Sequence, residues 1–237
     1  MRWLLGRVRT AVILGYGGVT RAGKAAMLLM ALTGAARAED ITIATLGDSL
    51  IQGYGLRPDD GLVPQLERWL VNAGATVTLI NAGVSGDTSA GGLSRIDWTL
   101  TPEVDGVIVA LGGNDLLRGL DPDLTRANLD GILQRARDAD VPAALIPMES
   151  LGNYGPDYKE AFDSLYPDLA EKHGIPLLPS LFSALGTDGA EMASLIQPDG
   201  IHPNARGVEQ ITQTLGPALL PWVRALGACE AGCAPAM

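Results

Sequence analysis

Apolar residues in this chain alternate between short continuous runs and three-to-four-residue repeats, a pattern that predicts strands and helices in turn. Ile41-Thr42-Ile43-Ala44-Thr45-Leu46 is β-branched and apolar and stops at Gly47-Asp48-Ser49, so it reads as a buried strand entering a tight turn. Leu62, Leu66, Trp69, Leu70 and Ala73 recur at helical spacing, with Pro64 in the first turn and an end at Asn72 to Gly74. Thr76 to Asn81 predicts a second strand, Leu93, Ile96 and Leu100 a helix, and Val104 to Leu111 a third strand that is apolar nearly throughout. Leu129, Ile132, Leu133 and Ala136 share one face of a long helix. A fourth strand within Pro142 to Pro147, a helix over Tyr158 to Lys172 and a fifth strand over Ile175 to Leu178 follow. After a looser stretch through Leu181, Leu185 and Met192, a closing helix carries Val208, Ile211 and Leu215 and breaks at Gly216-Pro217. Strands alternating with helices over this length predict a three-layer α/β/α domain around a five-stranded parallel sheet.

The amino terminus does not share this pattern. Arg2, Arg7, Arg9, Arg21 and Lys24 precede an apolar stretch, Ala25 to Leu32, which leads into Ala36-Arg37-Ala38. Basic region, short apolar region and small-x-small site are the order of a secretory signal, with cleavage expected after Ala38. A later start at Met27 and retention as an anchor are the alternatives. The division is therefore a signal over 1–38, a single domain over 39–226 and a tail over 227–237 holding Cys229 and Cys233. Those two cysteines, the only ones in the chain, form a local disulfide in an exported protein or remain two thiols.

Charge sharpens the separation. Residues 1–38 hold six of the 17 basic residues and no acidic ones, which leaves 11 positive against 27 negative charges, net −16. So acidic a body repels nucleic acid and anionic membrane surfaces. No cysteine lies in the body, which removes a cysteine nucleophile, and two cysteines alone cannot build a tetrahedral zinc site.

Three predicted strands end in turns rich in glycine and polar residues: Gly47-Asp48-Ser49, Val84-Ser85-Gly86-Asp87 and Gly112-Gly113-Asn114-Asp115. Parallel strands end on one edge of their sheet, so these turns are expected to gather there. Asp199 and His202 stand three apart near the end of the chain, a spacing that lets a carboxylate orient one imidazole nitrogen and leave the other to take a serine proton. Asp48 reads as a helix cap, Asp87 and Asp115 as loop stabilisers bonding nearby backbone N–H groups. His173, before Gly174, reads as a helix-end residue meeting the last carbonyls.

These four blocks, in this order, resemble those of the SGNH hydrolases, also called GDSL esterases and lipases. Asn81 to Ser89, Leu111 to Asp115 followed by Leu117-Arg118-Gly119, Asn153-Tyr154-Gly155 and Asp199 to Asn204 are similar to the bacterial periplasmic subgroup of thioesterases, arylesterases and lysophospholipases. The resemblance implies a flavodoxin-like sheet, Ser49 as nucleophile, His202 as base and then acid, and Asp199 as the group orienting His202. It implies an oxyanion hole of the Ser49 and Gly86 backbone N–H groups and the Asn114 amide, and no metal or organic cofactor. The Gly-x-Ser-x-Gly elbow of the α/β-hydrolases is absent around Ser49.

Leu116, Leu117 and Arg118, directly after Asn114, are expected to line an acyl channel whose second wall holds Tyr154. The expected activity is hydrolysis of carboxylic esters or thioesters of small acyl substrates, by a periplasmic or secreted monomer without stable membrane association after signal cleavage. The alternatives are an O-acetylesterase of cell-envelope polysaccharide and a non-catalytic binding module of the same fold.

Overall fold

A computed structural model of the protein describes residues 40–186 and 188–230. The signal-like segment 1–38 and the pairing of Cys229 with Cys233 lie outside the described residues.

Four parallel strands form the sheet: β1 (Ile41–Gly47), β2 (Val77–Gly83), β3 (Gly106–Ala110) and β4 (Ala143–Leu145), in the order β2-β1-β3-β4. The chain leaves β1 for one neighbour and later returns to the other side, which makes the β1/β3 boundary a topological switch point. Crevices at such points, outside the strands' carboxyl ends, are where open α/β sheets bind ligands. Gly47 is paired with both Gly83 and Ala110, so β1, β2 and β3 end level.

Side chains alternate across the sheet as the period of two requires. Ile41 and Ile43 of β1 and Ile108 and Ala110 of β3 enter one core, with α2 (Leu62–Asn72) and α8 (Ala205–Glu230). Ala44, Leu46, Val107 and Val109 enter the other, with α3 (Ser89–Thr99), α5 (Pro122–Asp138) and α6 (Pro156–His173). The short helices α1 (Ser49–Gln52) and α7 (Gly189–Leu195) add Ile51 and Leu195 to the first core, and α4 (Gly113–Leu117) packs Leu116 against the second.

Two expectations are corrected. The sheet has four strands, not five. Ile175 to Leu178 is reduced to one parallel bridge, Leu145 to Leu177, made by Leu145 N donating to Pro176 O and Leu178 N to Leu145 O. Extending the ladder needs an N–H on Pro176 for Ala143 O on one side and on Pro147 for Leu178 O on the other, and neither proline has one. The closing helix does not break at Gly216-Pro217 but runs on to Glu230 with Pro217 and Pro221 inside it. An interior proline costs about 3 kcal/mol, whereas fully burying one Leu or Val contributes roughly 1.5–3 kcal/mol. Beyond the first proline Leu219, Val223 and Leu226 are all buried on the continuing face, a contribution of the same size as the cost of two prolines.

The level strand ends need glycine because α1 lies directly on them. A Cβ on Gly83 would stand 2.3 Å from Gln52 N and 2.8 Å from the Ile51 carbonyl carbon, both backbone atoms that no rotamer change can move. Gly83→Ala is therefore expected to destabilise the fold by about 1–3 kcal/mol. In a domain of this size that lowers the melting temperature by roughly 2–12 °C. Thermal denaturation showing an unchanged midpoint would contradict this packing.

Candidate active site

Ser49 follows β1 as the first residue of α1, where a helix leaves its N–H groups without partners of their own. Asp48 caps the helix: its Oδ1 accepts from Leu50 N at 3.0 Å. Its Oδ2 accepts from Asn114 Nδ2 at 3.2 Å, reaching from the end of β1 to the turn after β3. Burial pushes the Asp48 carboxyl up, while the bonds from Leu50 and Asn114 oppose the shift. Asp48 thus acts as the cap expected of it and also aims the Asn114 amide.

His202 reaches this edge from a compact turn before α8. Asp199 Oδ1 accepts from the backbone N–H groups of Ile201 and His202, both at 3.0 Å, and Gly200 between them has φ 73°, a conformation that favours glycine. Asp199 Oδ2 lies 2.7 Å from His202 Nδ1, and His202 Nε2 lies 2.8 Å from Ser49 Oγ. The two backbone N–H bonds, and then the imidazole, lower the Asp199 carboxyl from 3.8 to about 2. An ionised carboxylate only accepts, so Nδ1 carries the proton and donates, and the Nε2 lone pair faces the Ser49 hydroxyl. This is the arrangement a serine needs to become a nucleophile.

The β2 turn is held against this pair by Val84 N donating to Gly47 O at 3.0 Å. Gly86 lies on it, exposed, and its carbonyl accepts from the Arg118 guanidinium at 2.9 Å. Arg118 therefore joins the Gly86 turn to the loop after Asn114. Tyr154 Oη donates to Leu117 O at 3.2 Å, and Tyr158 Oη donates to Leu120 O at 2.9 Å, which pins the other side of that loop. Of the four residues expected to line a channel, Leu117, Arg118 and Tyr154 are brought together on the surface. Leu116 is not with them: it packs against the core beneath α5 and α6, one helical position turning it inward.

A shallow apolar hollow beside Ser49 and His202 is lined instead by Tyr54, Leu56, Leu181 and Pro203, none of which the sequence singled out. Arg95 was also missed. Its guanidinium donates to Asp87 Oδ2 at 2.7 Å, Ala82 O at 2.8 Å and Gly47 O at 2.9 Å, fastening the ends of β1 and β2. Asp87 thus pairs with a guanidinium rather than a nearby N–H. Asp115 does bond an N–H, that of Ser89, but 26 residues away, together with the Ser89 and Thr125 hydroxyls. His173 pairs with Asp130 across from α5, 2.7 Å from Nε2, rather than with its own helix carbonyls. Among the described residues no cluster of three or more His, Cys, Asp or Glu is arranged to hold a metal ion.

The model of the GDSL-like lipase/acylhydrolase family matches residues 45–210. The chain belongs to this family. As a GDSL-like hydrolase it is 35% identical over 196 residues to esterase TesA of Pseudomonas aeruginosa, covering 82% of this chain and 94% of that one. It is 36% identical over 199 residues to the thioesterase 1/protease 1/lysophospholipase L1 of Escherichia coli, covering 83% and 91%. The crystal structure of AlinE4, an SGNH-hydrolase family esterase, matches with a TM-score of 0.64 and 41% identity, over 84% of this chain and 98% of that one. The present GDSL-like hydrolase is accordingly an SGNH-type serine hydrolase and an esterase.

Proposed function

We propose that this serine esterase cleaves the carboxylic ester and thioester bonds of small acyl substrates, aryl esters, acyl thioesters and lysophospholipids among them, through an acyl-enzyme on Ser49. The observation that carries the reading is the relay of short contacts from Asp199 through His202 to Ser49 Oγ. Ser49 Oγ attacks the acyl carbon as its proton passes to His202 Nε2, and the carbonyl oxygen becomes an oxyanion. The Ser49 and Gly86 N–H groups and the Asn114 amide take that charge, each such donor lowering the barrier by about 3–4 kcal/mol. Nε2–H then protonates the leaving oxygen or sulfur, and water, deprotonated by the same nitrogen, releases the acid.

Leu117 and Tyr154, both exposed beside the Gly86 turn, offer apolar surface to an acyl chain. The basic, apolar and Ala36-Arg37-Ala38 order supports export to the periplasm or beyond, with the mature chain starting at Glu39. No helix among the described residues is long and apolar enough to cross a membrane.

The test is to express the full chain, recover it from the periplasmic fraction, sequence its amino terminus, and assay p-nitrophenyl acetate and octanoate, acyl-coenzyme A, lysophosphatidylcholine and acetylated glycan in parallel. Hydrolysis of octanoate and of a thioester by protein beginning at Glu39 is expected. Turnover of acetylated glycan alone would replace this reading with the O-acetylesterase one, and no turnover of any acyl ester would leave a binding module.

A further inference from the structure

Tyr54, in the loop just after α1, has its ring centroid 4.7 Å from that of His202, with the planes at 38°. Hydrogen bonds hold the Tyr54 backbone from both sides of the site. Tyr54 N donates to Ser49 O at 3.0 Å, which ties the residue to the nucleophile's own helix. Tyr54 O accepts from Gln197 Nε2 at 2.8 Å, and the same Nε2 donates to Pro203 O at 2.9 Å. Gln197 N in turn donates to His202 O at 2.7 Å. Gln197 therefore clasps the backbone on either side of the stacked pair. Gly55 lies flush against it, since a Cβ there would stand 2.2 Å from Gln197 Oε1.

From this contact we infer that Tyr54 is a positioning residue for His202. Its ring covers one face of the imidazole, keeps the ring plane aligned between Asp199 and Ser49, and favours the imidazolium formed when Nε2 takes the serine proton. A π face attracts a cation held against it, and the contact is made by the ring rather than by the hydroxyl. The charge on His202 exists only transiently in the cycle, so the stabilisation is larger in the transition state than in the resting enzyme and acts on kcat. This inference rests on His202 being the base.

The ionisable groups facing the imidazole are Asp199, on its own turn, and Asp48, across from it before α1. Both stay in place in the variants that test the idea. Tyr54→Leu keeps apolar bulk and removes the π face. It is expected to lower kcat about three- to ten-fold with KM within about two-fold, and to move the acid limb of the kcat/KM profile down by about 0.3–0.7 pH unit. Tyr54→Phe is expected to restore both. Gln197→Met cuts the clasp without touching the ring and is expected to move kcat in the same direction by a smaller factor.

NMR titration supplies a readout that does not depend on turnover, because the chain has two histidines and only His202 meets Tyr54. Its midpoint is expected to fall in Tyr54→Leu and to hold in Tyr54→Phe. A Tyr54→Leu enzyme with wild-type kcat and wild-type His202 titration would overturn the inference while leaving the esterase reading intact. Equal damage in Tyr54→Phe would assign the effect to the hydroxyl and overturn it too. Wild-type protein without esterase activity would instead remove the reading on which it stands.

Discussion

Ser49→Ala is expected to lower kcat for a p-nitrophenyl ester by about a million-fold, toward the residual rate that binding and oxyanion donors supply without a nucleophile. The size follows from the relay. With no Oγ, His202 Nε2 at 2.8 Å has no proton to take and the acyl-enzyme cannot form. Removing one oxygen from the start of a short helix leaves the cap from Asp48 to Leu50 intact, so the melting temperature should hold. A fluorophosphonate probe should label the wild type and not the variant. Equal labelling, or a rate within tenfold of wild type, would assign the nucleophile elsewhere.

Asp199→Asn is expected to cost about 10⁴-fold in kcat, with KM little changed, measured on the same ester. An amide turned toward Nδ1 can present N–H where the carboxylate presented only acceptors. It then favours the tautomer with the proton on Nε2, which faces Ser49 with a donor instead of a lone pair. The pH dependence has a definite sign. The folded-state pKa of Asp199, about 2, lies below the ordinary aspartate value of 3.8. Its contribution to stability is therefore complete above the unfolded value and is lost only as pH falls through about 2. Loss of activity anywhere above pH ~4 then reflects a group other than Asp199. An Asp199→Asn enzyme with wild-type kcat would remove the carboxylate from the mechanism.

What the sequence made legible, and what it did not, divides by the distance over which each decision is made. β1 and its turn could be read locally, because a β-branched run ending in Gly47-Asp48-Ser49 has few other conformations open to it. The fifth strand was misread since Ile175-Pro176-Leu177-Leu178 has a strand's apolar content. Pairing depends on N–H groups, and Pro176 and Pro147 had none to give. The closing helix was misread the opposite way: Pro217 is a local stop signal, and only the buried face continuing through Leu219 and Val223 outweighs it.

In the site, Ser49, Gly86, Asn114, Asp199 and His202 could be marked because each sits in a turn block with its own local signature. The links between blocks left no such trace. Asp48 meets Asn114 across 66 residues, and Gln197 meets Tyr54 across 143. Leu116 was expected in the channel wall with its neighbours because a five-residue helix, α4, is too short for its period to show which way each residue turns.

The Arg95 clamp separates two properties that a single rim of loops would otherwise confuse. Because the guanidinium on α3, with the Val84 N–H beside it on Gly47, secures the carbonyls of Gly47 and Ala82, the segments carrying Leu117 and Tyr154 can be lengthened or exchanged without re-registering the strands beneath. Directed evolution toward bulkier acyl groups therefore has a fixed foundation and a variable parapet. Libraries that randomise the parapet and spare that arginine should retain far more folded, competent clones than libraries that include it.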